Sequence, residues 1–355
     1  MAARSGSVAN WGVCIRTVLL CTAIQAFAPV FAWAQASAQN PWDVTIVLPP
    51  RIIAGQPATL AVLGPDGKLA PDVNVDFGAG QHVKTDDSGR AFFTAPANAS
   101  FLIAKTLASS AASLVDIALP GRADGELAVA PFASLSDRFA ICGAAFRGDA
   151  DANRVTLDGK AALVLASSPE CLVVLAGPRA TIGEAKIAID AAGKHWEGTT
   201  ALVSVRFEAP QPPIEPQKRN RLTLVAEGTK QKLEITVQNE SPGVLRFVHS
   251  DKQNVRTSGG SPNSAVIEIE AIRSGNFSFH AQLAGPADAA SAERYLRAAL
   301  TLAPNDYQRP VRGMADRFKG RPRDTSKVRA QLDQVLAGVT AGDFRTLLEA
   351  ARAAL

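Results

Sequence analysis

Apolar positions between residues 43 and 120 come in short runs, VTIVL, ATLAVL, VNVDF, RAFFTA and SFLIAK, separated by the glycine-bearing polar stretches GPDGK, GAGQ and DDSG. Runs of strand length at roughly eight- to twelve-residue spacing predict an antiparallel β-sandwich. Glycine and Asp stand where the backbone must take positive φ, and the runs between them alternate in and out. The texture continues from Leu127 to Phe207 through FAICGAAF, GDADANRVTLDGKAALVLASSPECLVVLAGP, GEAKIAID and TALVSVRF. After the stiff stretch PQPPIEP, the runs RLTLVA, KLEITVQN, GVLRFV, AVIEIEAI and FSFHAQL predict a third sandwich-like unit, with SGGSPN as a long turn.

Beyond Pro286 the period changes from two to between three and four. AASAERYLRAALTLA sets Tyr295, Leu296, Ala299, Leu300 and Leu302 on one side and predicts a helix stopped by Pro304. A second helix is expected from about Ser326, with Val328, Leu332, Val335 and Leu336 in register and Gly338 as its stop. Thr340 to Asp343 reads as a capping box, with Val339 against Phe344 as its staple, and starts a third helix that ends the chain.

The first forty residues read as a leader. Arg4 and Arg16 precede TVLLCTAIQAFAPVFAWA, which ends in Ala32-Trp33-Ala34 and then Ala36-Ser37-Ala38, two cleavage sites with small residues at the required spacing. The alternative is an uncleaved membrane anchor, against which Gln25 and Pro29 interrupt the run. Leu20 directly before Cys21 argues against a lipoprotein signal. The expected map is a signal peptide over 1–38, β-sandwiches over 43–121, 126–209 and 218–285, a proline-rich linker over 210–217, and a helical tail over 286–355 with a basic loop at 309–329. The mature chain is expected to carry no transmembrane segment and to reside in the periplasm, at the cell surface or outside the cell.

The first sandwich resembles bacterial Ig-like modules of the Big-1 type and their carboxypeptidase-regulatory-like relatives. The resemblance rests on Gly55-Gln56-Pro57-Ala58-Thr59-Leu60, on Asp66-Gly67-Lys68 with Pro71 and Val73 to Val75, and on Thr85-Asp86 through Gly89-Arg90-Ala91 and Phe93. In that pattern the TDxxGxAxF tract closes a strand pair and is not catalytic. The second sandwich resembles the IPT/TIG family, with Gly143 and Phe146 as its glycine-and-Phe pair, Asn153-Arg154-Val155 and Asp158-Gly159 as the turn-flanked strand, and Pro178 and Gly183 late in the pattern. Together these imply a mostly β fold class, tandem Ig-like β-sandwich domains followed by a small C-terminal α-helical region. Such folds usually present loops for binding or act as spacers.

Composition changes this picture little. The 355 residues are 47% hydrophobic and 20% charged, enough for several cores, and Lys plus Arg number 37 against 33 acidic residues, so nucleic acid is not an expected partner. Beyond the leader only Cys142 and Cys171 remain, and in an oxidising compartment a bond between them is expected over two buried thiols. His82, His195, His249 and His280 are isolated along the chain, so no zinc site is expected.

Two acidic stretches invite a metal reading. In TDDSGR, Asp86 and Asp87 sit at a hairpin tip and are expected to shape the turn, with Gly89 as its left-handed residue. Asp149, Asp151 and Asn153 give the DxDxN opening of a calcium loop, but Arg154 stands where glycine belongs and Lys160 where the closing glutamate belongs. A polar inter-strand loop is the preferred reading there. Residues 309–329 hold eight Lys or Arg beside Asp316 and Asp324. Arg317, Lys319, Arg321 and Arg323 could contact a polyanion, although a solvated loop kept irregular by Pro310, Gly313, Gly320 and Pro322 is favoured.

No nucleophile elbow, Walker loop, dinucleotide fingerprint or kinase set occurs, so neither catalytic residues nor a cofactor are expected. The functional expectation is a non-enzymatic exported protein for binding, adhesion or scaffolding at the bacterial cell envelope, with an envelope protein or polysaccharide as partner. Two alternatives are a non-catalytic glycan-binding accessory protein, whose row of aromatics would have to draw on Trp42 and Trp196, and a hydrolase without a familiar motif.

Overall fold

A computed structural model describes residues 44–118, 127–143, 145–208, 214–215, 217–248, 252–285, 287–318 and 325–355. The leader, most of the 210–217 linker and residues 319–324 of the basic segment lie outside the described residues.

The first sandwich comprises β1 (Thr45–Val47), β2 (Arg51–Ile53), β3 (Pro57–Leu63), β4 (Asn74–Gly78), β5 (Gln81–Lys84), β6 (Arg90–Thr94), β7 (Phe101–Lys105) and β8 (Ser110–Asp116). One sheet is β1-β3-β6 and the other β2-β8-β7-β4-β5. Leu60, Val62, Ala91 and Phe93 from the first face Val75, Leu102, Ala104 and Val115 from the second across a closed apolar core. Successive strand residues point to opposite faces, so this leaves Thr59, Ala61, Arg90 and Phe92 on the outer face of the first sheet.

The second sandwich comprises β9 (Ala128–Val129), β10 (Phe132–Ser134), β11 (Arg138–Cys142), β12 (Asn153–Leu157), β13 (Lys160–Ser167), β14 (Cys171–Leu175), β15 (Gly183–Ala191) and β16 (Lys194–Phe207), with a 3-10 turn at Ala150–Ala152. Strand β13 pairs with β12 through Lys160 to Ala162 and with β14 from Leu163 onward, crossing between the two sheets. Cys142 and Cys171 are direct cross-strand partners of β11 and β14 and form a disulfide, as expected. Trp196, a candidate for an exposed aromatic row, is instead buried in this core and packs edge-on against Phe146 at 5.6 Å. Its strand alternates, and position 196 falls on the inner face with Leu202.

The third unit comprises β17 (Arg219–Glu227), β18 (Glu234–Asn239), β19 (Leu245–Phe247), β20 (Lys252–Arg256), β21 (Asn263–Ala271) and β22 (Phe279–Leu283), in sheets β19-β21-β17 and β20-β18-β22. Strand β20 is an addition to the sequence reading. The expected boundary at 210–217 also shifts. The 14-residue β16 pairs with β15 through Leu202 and with β17 from Ser204, so Val203 and Val205 already belong to the third core.

Four helices follow: α1 (Ala289–Leu302), α2 (Asn305–Asp316), α3 (Ser326–Gly338) and α4 (Asp343–Ala353). α2 corrects the expectation that the basic segment is irregular from 309. Val311, Met314, Ala315 and Phe318 recur at i, i+3, i+4 and i+7 and are all buried, which outweighs the hydrogen bond lost at Pro310 inside the helix. The capping box also fails. Gly342 is the N-cap of α4 and no side chain caps it. Val339 and Phe344 are nonetheless both buried in the helical core.

The helices do not hang free. One apolar cluster joins Ile103 and Leu114, on the outer face of β7-β8, to Leu296, Met314, Leu332 and Leu347, so the end of the chain folds back onto the first sandwich. Arg294 pairs with Asp116 at 2.6 Å, and the buried Tyr295 hydroxyl, raised in pKa by burial, donates toward the Pro50 and Ala112 carbonyls.

Candidate functional site

The first two sandwiches meet along a largely apolar seam. Ala61, Leu63 and Val47 pack on Leu165, Ala166 and Val173, and β3 bridges β13 at Thr59 and Ser167. β3 is therefore buried on both faces, in keeping with its run PATLAVL, in which Thr59 is the one polar residue. At one rim of this seam the two acidic stretches singled out in the sequence come together, although about sixty residues separate them. Thr59, Asp86, Ser88, Arg90, Phe92, Asp149 and Asp151 line an open cleft of about 220 Å³.

The TDDSGR turn forms as expected. Asp86 Oδ1 accepts from the Ser88 backbone N–H at 2.8 Å, from the Ser88 hydroxyl at 2.7 Å and from the Arg90 N–H at 3.2 Å. The Ser88 hydroxyl is the chief reason its carboxyl lies below the ordinary value. Gly89 takes φ +69° and closes the turn by donating to the Asp86 carbonyl. The alternation of β6 then buries Ala91 and Phe93 and leaves Phe92 58% exposed.

The DADAN loop is arranged by its own backbone. Asp149 caps the 3-10 turn by accepting from the Asp151 N–H. Asn153 is turned inward, its amide donating to the Arg147 and Asp149 carbonyls and to the Ser167 hydroxyl. Asp151 receives Arg90 Nη1 at 2.8 Å, while Nη2 donates to the Val164 carbonyl at 2.7 Å. Of the three calcium candidates, one is thus a structural amide and another an ion-pair partner. Among the described residues no group of three or more His, Cys, Asp or Glu stands close enough to hold a metal ion.

A second junction sits at Arg51. Its Nη1 meets Glu170, the neighbour of Cys171, at 3.3 Å, and its Nη2 meets Asp288 at 2.9 Å and the Ser291 hydroxyl at 3.0 Å. Both sandwiches and the N-cap of α1 therefore share one guanidinium. Burial pushes the Asp288 carboxyl up, but hydrogen bonds from Ser291 and the Arg51 charge outweigh it and hold the pKa below 3.8.

Arg317 is exposed just after α2 and takes no ion pair among the described residues. Lys319, Arg321 and Arg323 lie outside them, as does Trp42. No helix of the described residues is long and apolar enough to cross a membrane.

No family model and no curated protein sequence matches the chain. Among solved structures, the full extracellular region of plexin A4 is similar over 72% of this chain and 24% of its own, at 12% identity and a TM-score of 0.26. A second plexin A4 structure is covered over 32% of its length, so the chain spans a quarter to a third of these two. SGBP-B from a complex xyloglucan utilization locus in Bacteroides uniformis is similar over 68% of this chain and 96% of its own, at 10% identity and a TM-score of 0.24. The I9–I11 tandem of titin gives 9% identity and a TM-score of 0.18. At such scores these likenesses carry no argument. The mostly β architecture with a C-terminal helical region rests on the topology described above.

Proposed function

We propose that the chain is an exported, non-catalytic binding or scaffolding protein of the bacterial cell envelope, built from Big-1-like and IPT/TIG-like Ig modules. The observation that carries this reading is sheet continuity across both seams. β3 bridges into β13, and β16 runs from the second core into the third. Such joints restrict relative motion and suit a body that holds surface turns at fixed spacing. The formed Cys142–Cys171 bond fits an oxidising compartment outside the cytoplasm.

The test is retention of the tagged chain 39–355 on washed envelope fractions, with cytosolic fractions as control. Saturable retention on envelope material, without release of reducing ends or hydrolysis of ester substrates, is the expected outcome. Retention no greater than on the control, or turnover of any of these substrates, overturns the reading.

A further inference from the structure

We propose that the seam cleft binds a neutral, hydroxyl-rich carbohydrate chain, with Phe92 as its stacking platform. The inference rests on the binding role proposed above and names the ligand class and the place. Phe92 is the one aromatic among the large exposed apolar side chains of the described residues, and it sits at the cleft where two sandwiches converge. A flat apolar ring ringed by fixed polar groups matches a pyranose, which offers a C–H face and a rim of hydroxyl donors.

The rim is rich in open acceptors. Each of Asp86, Asp149 and Asp151 accepts its hydrogen bonds through Oδ1, and among the described residues no side-chain or backbone donor meets their Oδ2 atoms. A hydroxyl donating to a carboxylate oxygen makes a short, strong bond. Beneath them Arg90, with its side chain 9% exposed, spends Nη1 and Nη2 on Asp151 and Val164 and leaves its buried Nε–H with no acceptor. That Nε–H is sealed from solvent and belongs to the packing beneath the cleft, so the ligand-facing groups are Phe92 and the carboxylates of the rim.

The spacing of the carboxylates argues against a metal site. The carboxylates do not converge on a metal, and Arg90 neutralises the nearest one. Spread acceptors around an aromatic face serve several hydroxyls better than one point charge. At about 220 Å³ the open cleft falls short of the roughly 300–1,000 Å³ of an enclosed ligand pocket, so it seats one ring of a longer chain.

Calorimetric titration of chain 39–355 tests this with cellohexaose, maltoheptaose and chitohexaose as neutral probes, and hexalysine and hexagalacturonate as charged ones. At least one neutral probe should bind with a Kd under about 1 mM, and Phe92→Ala should weaken it about tenfold while the melting temperature stays unchanged. Binding of neither charged probe is expected. Absence of neutral binding, equal affinity in Phe92→Ala, or binding of hexalysine alone overturns the assignment. If wild type and Phe92→Ala are retained equally on envelope fractions while no oligosaccharide binds, the carbohydrate assignment fails and the broader binding role stands.

Discussion

Gly148→Ala probes the seam at its tightest point. Gly148 lies outside the left-handed region, so the substitution adds a methyl group without backbone strain of that kind. The new Cβ would stand 2.1 Å from the Pro57 carbonyl oxygen and 2.5 Å from its carbon. Restoring a 3.0 Å separation means opening the seam by about 0.9 Å, against backbone rather than a flexible side-chain end. Overpacking of this sort costs about 1–3 kcal/mol. The same displacement stretches the buried Thr59 hydroxyl bond to the Gly148 carbonyl, now 2.7 Å, for about 1 kcal/mol more. Together they amount to about 2–4 kcal/mol, a fall in melting temperature of roughly 5–15 °C for a unit of this size. Urea titration followed by Trp196 fluorescence measures it, with Gly313→Ala as control because a methyl there meets nothing within 4 Å on α2. The control should be neutral or stabilising by up to about 1 kcal/mol. A Gly148→Ala protein within about 0.5 kcal/mol of the parent would refute the packed seam.

Gly89→Val should destabilise far more than a combined Asp86→Asn, Asp87→Asn change, since φ +69° and a Cβ 2.7 Å from the Ala70 nitrogen both oppose the valine, while Asn keeps the acceptor; thermal melts compare them. Reducing the Cys142–Cys171 bond, which closes a separation of 29 residues, should cost about 3–4 kcal/mol by chain entropy, and equal denaturation midpoints with and without reductant would contradict this. Arg51→Met should loosen the helical region from the sandwiches by about 1–3 kcal/mol and expose α1 to limited proteolysis, leaving the disulfide intact. Because the folded Asp288 carboxyl is depressed, its contribution to that docking is complete above the unfolded value of 3.8 and is lost as pH falls below it through the folded value. Hydrogen exchange of α1 between pH 6 and pH 2.5 should follow that sign, and protection that rises on acidification would be the refuting result.

Turn chemistry made much of the fold legible in advance. DDSG, with Asp86 accepting from its own turn and Gly89 at positive φ, depends on four adjacent residues, and so do the strand runs around it. The pattern of α3, Val328, Leu332 and Leu336, was readable for the same reason. α2 was not, because Pro310 and Gly313 are strong local breakers, and only the apolar surface of α1 and α3 repays a helix there. The Thr340 capping box failed although its local pattern was right, since the chain enters α4 through Gly342 at φ 150°.

The sequence by itself determined the mostly β architecture, the pairing of its two late cysteines and the helical character of the tail, because each follows from periodicity, exclusive partners or contacts between near neighbours, whereas the parallel pairings of β2 with β8 and of β10 with β16 had no local signal. It did not determine what each strand's second face meets. PATLAVL and CLVVL carry a trace of that, being too uniformly apolar for sheets with one wet face, yet which partner covers them is a long-range matter. Only the tertiary structure set Asp86 beside Asp151, left Phe92 in the open while burying Trp196, and gave Arg51 three partners from distant parts of the chain. Such contacts depend on how whole faces dock, and a face is selected by the sum of many apolar contacts that no single stretch of residues encodes.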